Sequence, residues 1–205
     1  DGFKRKGLVM GDVQSGKTAN YIGLINRAAD VKYKLIILIA GLHVNLRRQT
    51  QNRIIEGFIG EDSVTREKIG VGKILPFERS RTPVSLTSLD NDFTLKTQKS
   101  ITFDPETSNA PVILVIKKNT STLKSLIKWL QAGVGANQYT NNYPLLLIDD
   151  EADNASVNYN DEDNDPTRIN GQIRDILNLF NKSSYVGYTA TPFANIFIDP
   201  DAQDG

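Results

Sequence analysis

Leu8-Val9-Met10-Gly11-Asp12-Val13-Gln14-Ser15-Gly16-Lys17-Thr18 runs from a short apolar stretch through a glycine loop into a segment of helical periodicity. Residues 11–18 match G-x-x-x-x-G-K-[ST] in full. Gly11 and Gly16 let the backbone curl so that the N–H groups of Asp12, Val13, Gln14 and Ser15 can face phosphate oxygens. The helix that follows adds the positive end of its dipole. Lys17 can reach terminal phosphates as a point charge, and Thr18 offers a hydroxyl to Mg²⁺, which prefers hard oxygen ligands. The motif's required context, a strand before the loop and a helix after it, is present.

Outward from this loop, apolar runs alternate with helical stripes. A helix is predicted from about Thr18 to Ala29, with Ile22, Leu24, Ile25 and Ala28 inward. The run Leu35 to Ala40 is continuously apolar and rich in β-branched residues, as in a parallel strand covered on both faces. Residues 45–58 read as a second helix carrying Leu46, Ile54, Ile55 and Phe58. Between 60 and 110, Gly70, Gly72, Pro76, Pro83 and Pro105 break periodicity, so this stretch reads as an irregular insertion. Gly70-Val71-Gly72-Lys73 echoes the phosphate loop but lacks its first glycine and its Ser or Thr, and reads as a turn. Val112 to Ile116 is a strand, and Thr120 or Ser121 is expected to cap a helix with Leu123, Leu126, Ile127 and Leu130 on one stripe and Trp129 beside it in the core. Leu145 to Ile148 is a further strand, 154–166 an acidic loop, and Thr167 to Phe180 a helix with Ile169, Ile173, Ile176, Leu177 and Phe180 inward. A last strand, Tyr185 to Tyr188, leads into Thr189-Ala190-Thr191-Pro192. Five apolar strands separated by helices predict an α/β fold: one domain over 1–205, with an open, mostly parallel sheet and helices on both faces.

The strand Leu145-Leu146-Leu147-Ile148 ends in Asp149-Asp150-Glu151-Ala152-Asp153. Open α/β sheets bind ligands at the carboxyl ends of their strands. An acid there can hold Mg²⁺ through water, and a neighbouring Glu can polarise an attacking water. A solvated acidic turn is the plain alternative for this segment taken alone; the phosphate loop tips the balance toward a nucleotide site. Adjacent strand residues point to opposite faces, so only one of Asp149 and Asp150 can face a nucleotide directly.

Composition sets outer limits. The 205 residues carry 24 basic and 24 acidic side chains, which argues against a tail-like nucleic-acid binder but permits a local basic groove. A chain of this size buries roughly 70% of the surface it exposes when unfolded, enough for a true core. Without cysteines, a disulfide scaffold and a thiolate zinc site are excluded, and a reducing, cytoplasmic location is expected. No apolar run approaches the ~18 residues that would suggest a membrane span, and no export signal follows the basic start. Lacking an initiator Met, the chain reads as a piece of a longer protein.

Asp150-Glu151-Ala152-Asp153 spells the DEAD box of superfamily 2 helicases, Thr189-Ala190-Thr191-Pro192 is similar to their motif III, and the segment from Ala40 through Leu42, His43, Arg47, Arg48 and Gln49 to Thr50 resembles motif Ia. All occur in family order across residues 11–192. The resemblance implies a RecA-like P-loop domain, the first motor domain of a helicase or translocase, that uses ATP and Mg²⁺. It implies that Lys17 and Thr18 serve phosphate and Mg²⁺, that Asp150 holds Mg²⁺, and that Glu151 activates water. Asp153, Thr189 and Thr191 would couple the nucleotide to a second RecA-like domain in the same longer chain. Leu42, His43, Arg47, Arg48 and Gln49 would face the backbone of DNA, with RNA as the alternative. The phrases at 11–18 and 187–195 further resemble the helicase-like region of bacterial Z-one domain proteins, large endonuclease-type proteins of restriction and phage defence. The glutamine motif that reads adenine would lie before residue 1, motif Ib has only Lys117-Lys118-Asn119-Thr120 near its place, and the second domain's arginine fingers are not in this sequence.

A rival reading is a nucleotide-dependent switch or scaffold without translocation. Other features count for less. His43, the sole histidine, is more often structural or exposed than functional at such a position. The calcium-loop spacing of 161–165 fails because Pro166 stands where glycine is needed and Gln172 where a bidentate Glu is needed. Nothing apart from the ATPase-type carboxylates has the make-up of a metal-dependent nuclease centre.

Overall fold

Every residue of Leu35–Ala40 and Val112–Ile116 is buried, as continuous apolar runs require when both faces of a strand are covered. The computed structural model describes residues 2–12, 16–74, 82–94, 109–133, 141–152, 163 and 165–190. In chain order its elements are β1 (Phe3–Met10), α1 (Lys17–Asp30), β2 (Leu35–Ala40), α2 (Val44–Ile54), a π-helical turn (Ile55–Ile59), α3 (Val71–Ile74), β3 (Val84–Ser85), β4 (Val112–Ile116), α4 (Thr120–Ala132), β5 (Leu145–Asp150), α5 (Pro166–Asn178) and β6 (Lys182–Thr189). The strands form one six-stranded sheet in the order β1-β6-β5-β2-β4-β3, and every pairing is parallel. This is the α/β architecture the sequence predicts.

Alternation along the strands divides the core into two layers. Leu35, Ile37, Leu114, Leu145, Leu147 and Tyr185 pack with Leu123, Leu126 and Leu130 of α4 and Ile169, Ile173 and Ile176 of α5. Ile36, Leu38, Ile113, Leu146, Ile148 and Tyr188 pack on the other face with Tyr21 and Ile25 of α1 and Phe58 of the π-helical turn. Burying each such side chain contributes about 1.5–3 kcal/mol, so the two layers dominate the stability of the sheet. Trp129 is half-buried against the first layer, its ring 5.5 Å from that of Phe93.

The structure departs from the sequence reading where polarity or capping hid the element. β1 begins at Phe3 rather than Leu8, because Lys4, Arg5 and Lys6 belong to an exposed strand that pairs only with β6. β6 begins at Lys182, and a sixth strand, β3, lies within the stretch read as an insertion. α4 is capped by Asn119, whose side chain accepts from Thr122 N at 3.1 Å, not by Thr120 or Ser121. Asp163 then accepts from Thr120 Oγ1 at 2.7 Å and Ser121 N at 2.8 Å. Burial opposes its ionisation, but these bonds outweigh it and hold the carboxyl below the ordinary aspartate range.

Two glycines give opposite expectations. Gly60 ends the π-helical turn at φ +76°, and a Cβ there would lie 2.1 Å from Gly72 N, so backbone would have to part. Gly23 sits inside α1 with nothing within 4 Å of a Cβ. Gly23→Ala should therefore stabilise by about 0.5–1 kcal/mol, whereas Gly60→Ala should destabilise by about 1–3 kcal/mol or more. Urea unfolding of both variants checks the pair; equal and same-signed effects would contradict the backbone packing described.

Candidate active site

Four neighbouring strands end at one edge of the sheet. Met10 of β1 is level with Thr189 of β6, Tyr188 of β6 with Asp150 of β5, and Asp150 with Ala40 of β2. Gly11 N donates to Thr189 O at 3.0 Å, so the glycine loop leaves the sheet tied to the end of β6. The loop's strand and the acidic strand are thus separated by one strand.

Gly16 caps α1 at φ +83°, a conformation that costs an L-residue strain although the space around it is open. Lys17 Nζ donates to Gly11 O at 2.7 Å and to Asp12 O at 3.2 Å, so the ammonium is curled onto its own loop. Thr18 Oγ1 accepts from a guanidinium nitrogen of Arg53 at 2.8 Å. Val13, Gln14 and Ser15 lie outside the described residues, as do Asp153 and Thr191.

Strand parity separates the two aspartates. Asp150 shares its face with Leu146 and Ile148, the α1 side, and Lys17 is the main cation acting on it. Burial pushes its carboxyl up to about 6; Glu151 and Asp149 add to the rise and Lys17 opposes it. Asp149 shares the opposite face and is 1% exposed, with Lys118 Nζ 2.9 Å from one carboxylate oxygen and Tyr185 Oη donating to the other at 3.2 Å. Burial first, then Asp149, raises the Tyr185 hydroxyl far above the ordinary range, so it stays a donor. Glu151 follows at φ +63°, and its Oε2 comes within 2.8 Å of where a Cβ on Gly41 would stand. Gly41, itself at φ +72°, leaves the room that Glu151 fills.

The segment expected to face nucleic acid divides. His43, Arg48 and Gln49 are exposed and Leu42 half-buried, beside the carboxyl end of β2. Arg47 is 2% exposed, and its guanidinium donates to Ser88 O at 2.9 Å and Leu89 O at 2.7 Å, with Asp92 at 3.9 Å. The expectation that Arg47 contacts a nucleic-acid backbone is corrected: the side chain is buried, and the main-chain carbonyls of Ser88 and Leu89 take up its donors. Arg48 keeps about half its side chain exposed while pairing with Asp90 at 3.0 Å.

Sequence reasoning missed four residues around this edge. Arg53 and Tyr21 were not singled out, Lys118 entered only with the motif Ib-like stretch, and Tyr188 only as the end of the last strand. The Tyr21 hydroxyl is nonetheless buried beside Thr18 and Thr50, without a hydrogen bond of good geometry, and Tyr188 Oη donates to Asn20 Oδ1 at 2.7 Å. The rings meet edge to face at 5.6 Å, and burial followed by Asp150 pushes the Tyr188 hydroxyl up to about 12. Phenols kept protonated are donors beside the carboxylate rather than added negative charge.

A cavity of about 490 Å³ lined by Asn26, Lys32, Tyr33, Lys34 and Phe58 lies at the other end, where Lys34 and Pro111 precede β2 and β4. Parallel sheets place ligands at carboxyl ends, so the loop edge is the better candidate despite that cavity. The groups at the loop edge fit a polyphosphate with Mg²⁺. The Thr18 hydroxyl and the Asp150 carboxylate are hard oxygens of the kind Mg²⁺ prefers, and burial keeps Asp150 from ionising freely. Among the described residues no helix is long and apolar enough to cross a membrane.

No protein-family model matches this sequence, and no curated protein matches it. Among solved structures, the helicase domain of Pyrococcus furiosus Hef is similar, with a TM-score of 0.46 and 16% identity, over 93% of this chain and 30% of that one. This chain thus spans about a third of the Hef chain, and a likeness this distant carries no argument about activity.

Two expectations follow from the buried charges. The folded protein holds the Asp150 proton more tightly than the unfolded chain does, so its stability falls as pH rises from about 4 to 6 and the penalty is complete above that. Asp150→Asn should therefore stabilise the nucleotide-free protein at pH 8 by up to about 2–3 kcal/mol, with the gain vanishing near pH 4; a gain independent of pH would contradict the burial argument. Arg47→Ala should cost about 2–4 kcal/mol in denaturant unfolding, and Arg48→Ala under about 1 kcal/mol; the reverse order would restore Arg47 to the surface.

Proposed function

We propose that this chain binds ATP·Mg²⁺ at the carboxyl edge of β1 and β5 and, with a second motor domain, hydrolyses ATP to move along nucleic acid, DNA in the first instance. The observation that carries the reading is convergence: the G-x-x-x-x-G-K-T loop, Asp150 and Glu151 reach one sheet edge from distant parts of the sequence, with Asp150 on the face of the loop's helix. Lys17 would exchange Gly11 O and Asp12 O for phosphate oxygens, which carry more charge. Thr18 and Asp150 would hold Mg²⁺, which when bound supplies charge neutralisation on the phosphates. Arg53 donates to the same Thr18 oxygen and must yield there, leaving its guanidinium beside the phosphates. Glu151 would accept the proton of the water that adds to the γ-phosphorus while the bond to ADP breaks. Catalysis of this kind is positioning and charge stabilisation.

The motor reading rests on the resemblance of motifs Ia and III, and the restriction or defence setting on the wording of residues 11–18 and 187–195. The rival, a nucleotide switch without translocation, is favoured by the withdrawal of Arg47 from the surface and the pairing of Arg48 with Asp90. A switch should answer to a protein partner, a motor to DNA.

Lys17→Ala should weaken binding of a non-hydrolysable ATP analogue in calorimetry. Glu151→Gln should bind normally yet lose turnover, and the 205-residue chain alone should hydrolyse ATP slowly because an arginine finger from outside is worth about a thousandfold in other P-loop enzymes. Unchanged affinity in the first variant removes the phosphate site. ATP turnover by the chain alone that equals the DNA-stimulated rate of the longer protein removes the two-domain motor in favour of the switch.

A further inference from the structure

Asp149 poses a question that the nucleotide reading leaves open. It points away from the phosphate loop, is 1% exposed, and sits at the end of a leucine-rich strand. A buried carboxylate there is expensive, and its partner Lys118, 3% exposed, is expensive too. Well-packed apolar residues in both places would cost nothing or stabilise, so stability does not explain the pair. What the pair does locally is specific. Lys118 Nζ lies 2.9 and 3.1 Å from the two Asp149 oxygens and donates to the main-chain O of Glu151 at 3.0 Å. The backbone N of Lys118 donates to Gly41 O at 2.7 Å. One residue therefore ties the end of β2 to the turn after β5, and those are the two walls between which the Glu151 side chain lies. The turn needs such a tie, because Glu151 stands at φ +63°, a region costly for a residue with a side chain. Lys118 is itself fixed on both sides: Lys117 N donates to Asp92 at 3.2 Å, and Asn119 caps α4 while donating to Asp163 at 3.1 Å.

We propose that Lys118, anchored by Asp149, is a positioning residue that holds Glu151 in its left-handed turn and so sets the carboxylate against Gly41 at the phosphate-loop edge. The inference deepens the proposed ATPase reading and rests on it for its effect on rate, but its structural content can be read without nucleotide. Tyr185 belongs to the same device, since its hydroxyl occupies the Asp149 oxygen at 3.2 Å and orients the carboxylate toward Lys118.

Lys118→Met alone leaves Asp149 buried without its cation and is expected to fold poorly. The decisive variant is Lys118→Met/Asp149→Leu, in which both charges go and the fold is kept, examined in the full polypeptide that carries this chain. In nucleotide-free protein, amide exchange at Glu151 and Ala152 should quicken while the interior of β5 stays protected. Affinity for a non-hydrolysable ATP analogue should be retained, and kcat should fall by about ten- to a hundredfold with little change in KM, as misplacement of a catalytic group predicts. Lys118→Arg, which keeps the charge and donors, should recover part of the rate. Unchanged exchange at Glu151 and Ala152, or a double variant with wild-type kcat, overturns the proposal. If the wild type hydrolyses no ATP, or Glu151→Gln hydrolyses it as fast, the ATPase reading fails, and the exchange measurement alone decides whether Lys118 holds the turn.

Discussion

The register in which β6 is inserted between β1 and β5 is the constraint on which the rest of this edge depends. Met10 level with Thr189, and Tyr188 level with Asp150, bring two segments about 140 residues apart to one height. A slip of one residue would turn Asp150 toward α4 and α5 and Asp149 toward α1, exchanging the two environments. The two core layers forbid that slip, because it would move Leu146, Ile148 and Tyr188 out of the packing they share with Tyr21, Ile25 and Phe58.

Electrostatics at the edge follow from the same placement. Two acids end β5 and a third follows in the turn, and Asp149 has the buried ammonium of Lys118 against it. Asp150 shares Lys17 with the carbonyls of Gly11 and Asp12 and is left hard to ionise. A carboxyl in that state costs stability once it ionises, a cost that added positive charge would offset. Tyr21 and Tyr188, buried phenols beside Asp150, supply donors without adding charge, and Arg53 stands at Thr18 as the nearest described guanidinium.

Much of this was legible in the sequence. Apolar runs of four to six residues marked β2, β4 and β5, and helical stripes marked α1, α4 and α5, because burial on two faces or on one stripe leaves a periodic trace. β1 was half seen, since Lys4, Arg5 and Lys6 on an exposed strand carry no such trace, and the two-residue β3 carries none at all. The glycine loop before α1 and the acidic end of β5 were read from spacing alone, and parity predicted that Asp149 and Asp150 would part. Lys118, Arg53 and the burial of Arg47 were not legible. Each depends on partners 31 to 42 residues away in sequence, and a lysine or arginine in a polar stretch of sequence looks the same whether its partner is solvent, phosphate or a main-chain carbonyl.

The central claim is that Lys17, Thr18 and Asp150 form one site for a nucleotide and its divalent cation. Mn²⁺ in place of Mg²⁺, added with a non-hydrolysable ATP analogue, broadens nearby NMR signals with a steep distance dependence. The account predicts that Gly16, Lys17, Thr18, Asp150 and Glu151 broaden together, that Arg53 shifts as it leaves Thr18, and that Lys32, Tyr33 and Lys34 at the opposite cavity stay sharp. Broadening centred on that cavity, or broadening of the loop without Asp150, would contradict it.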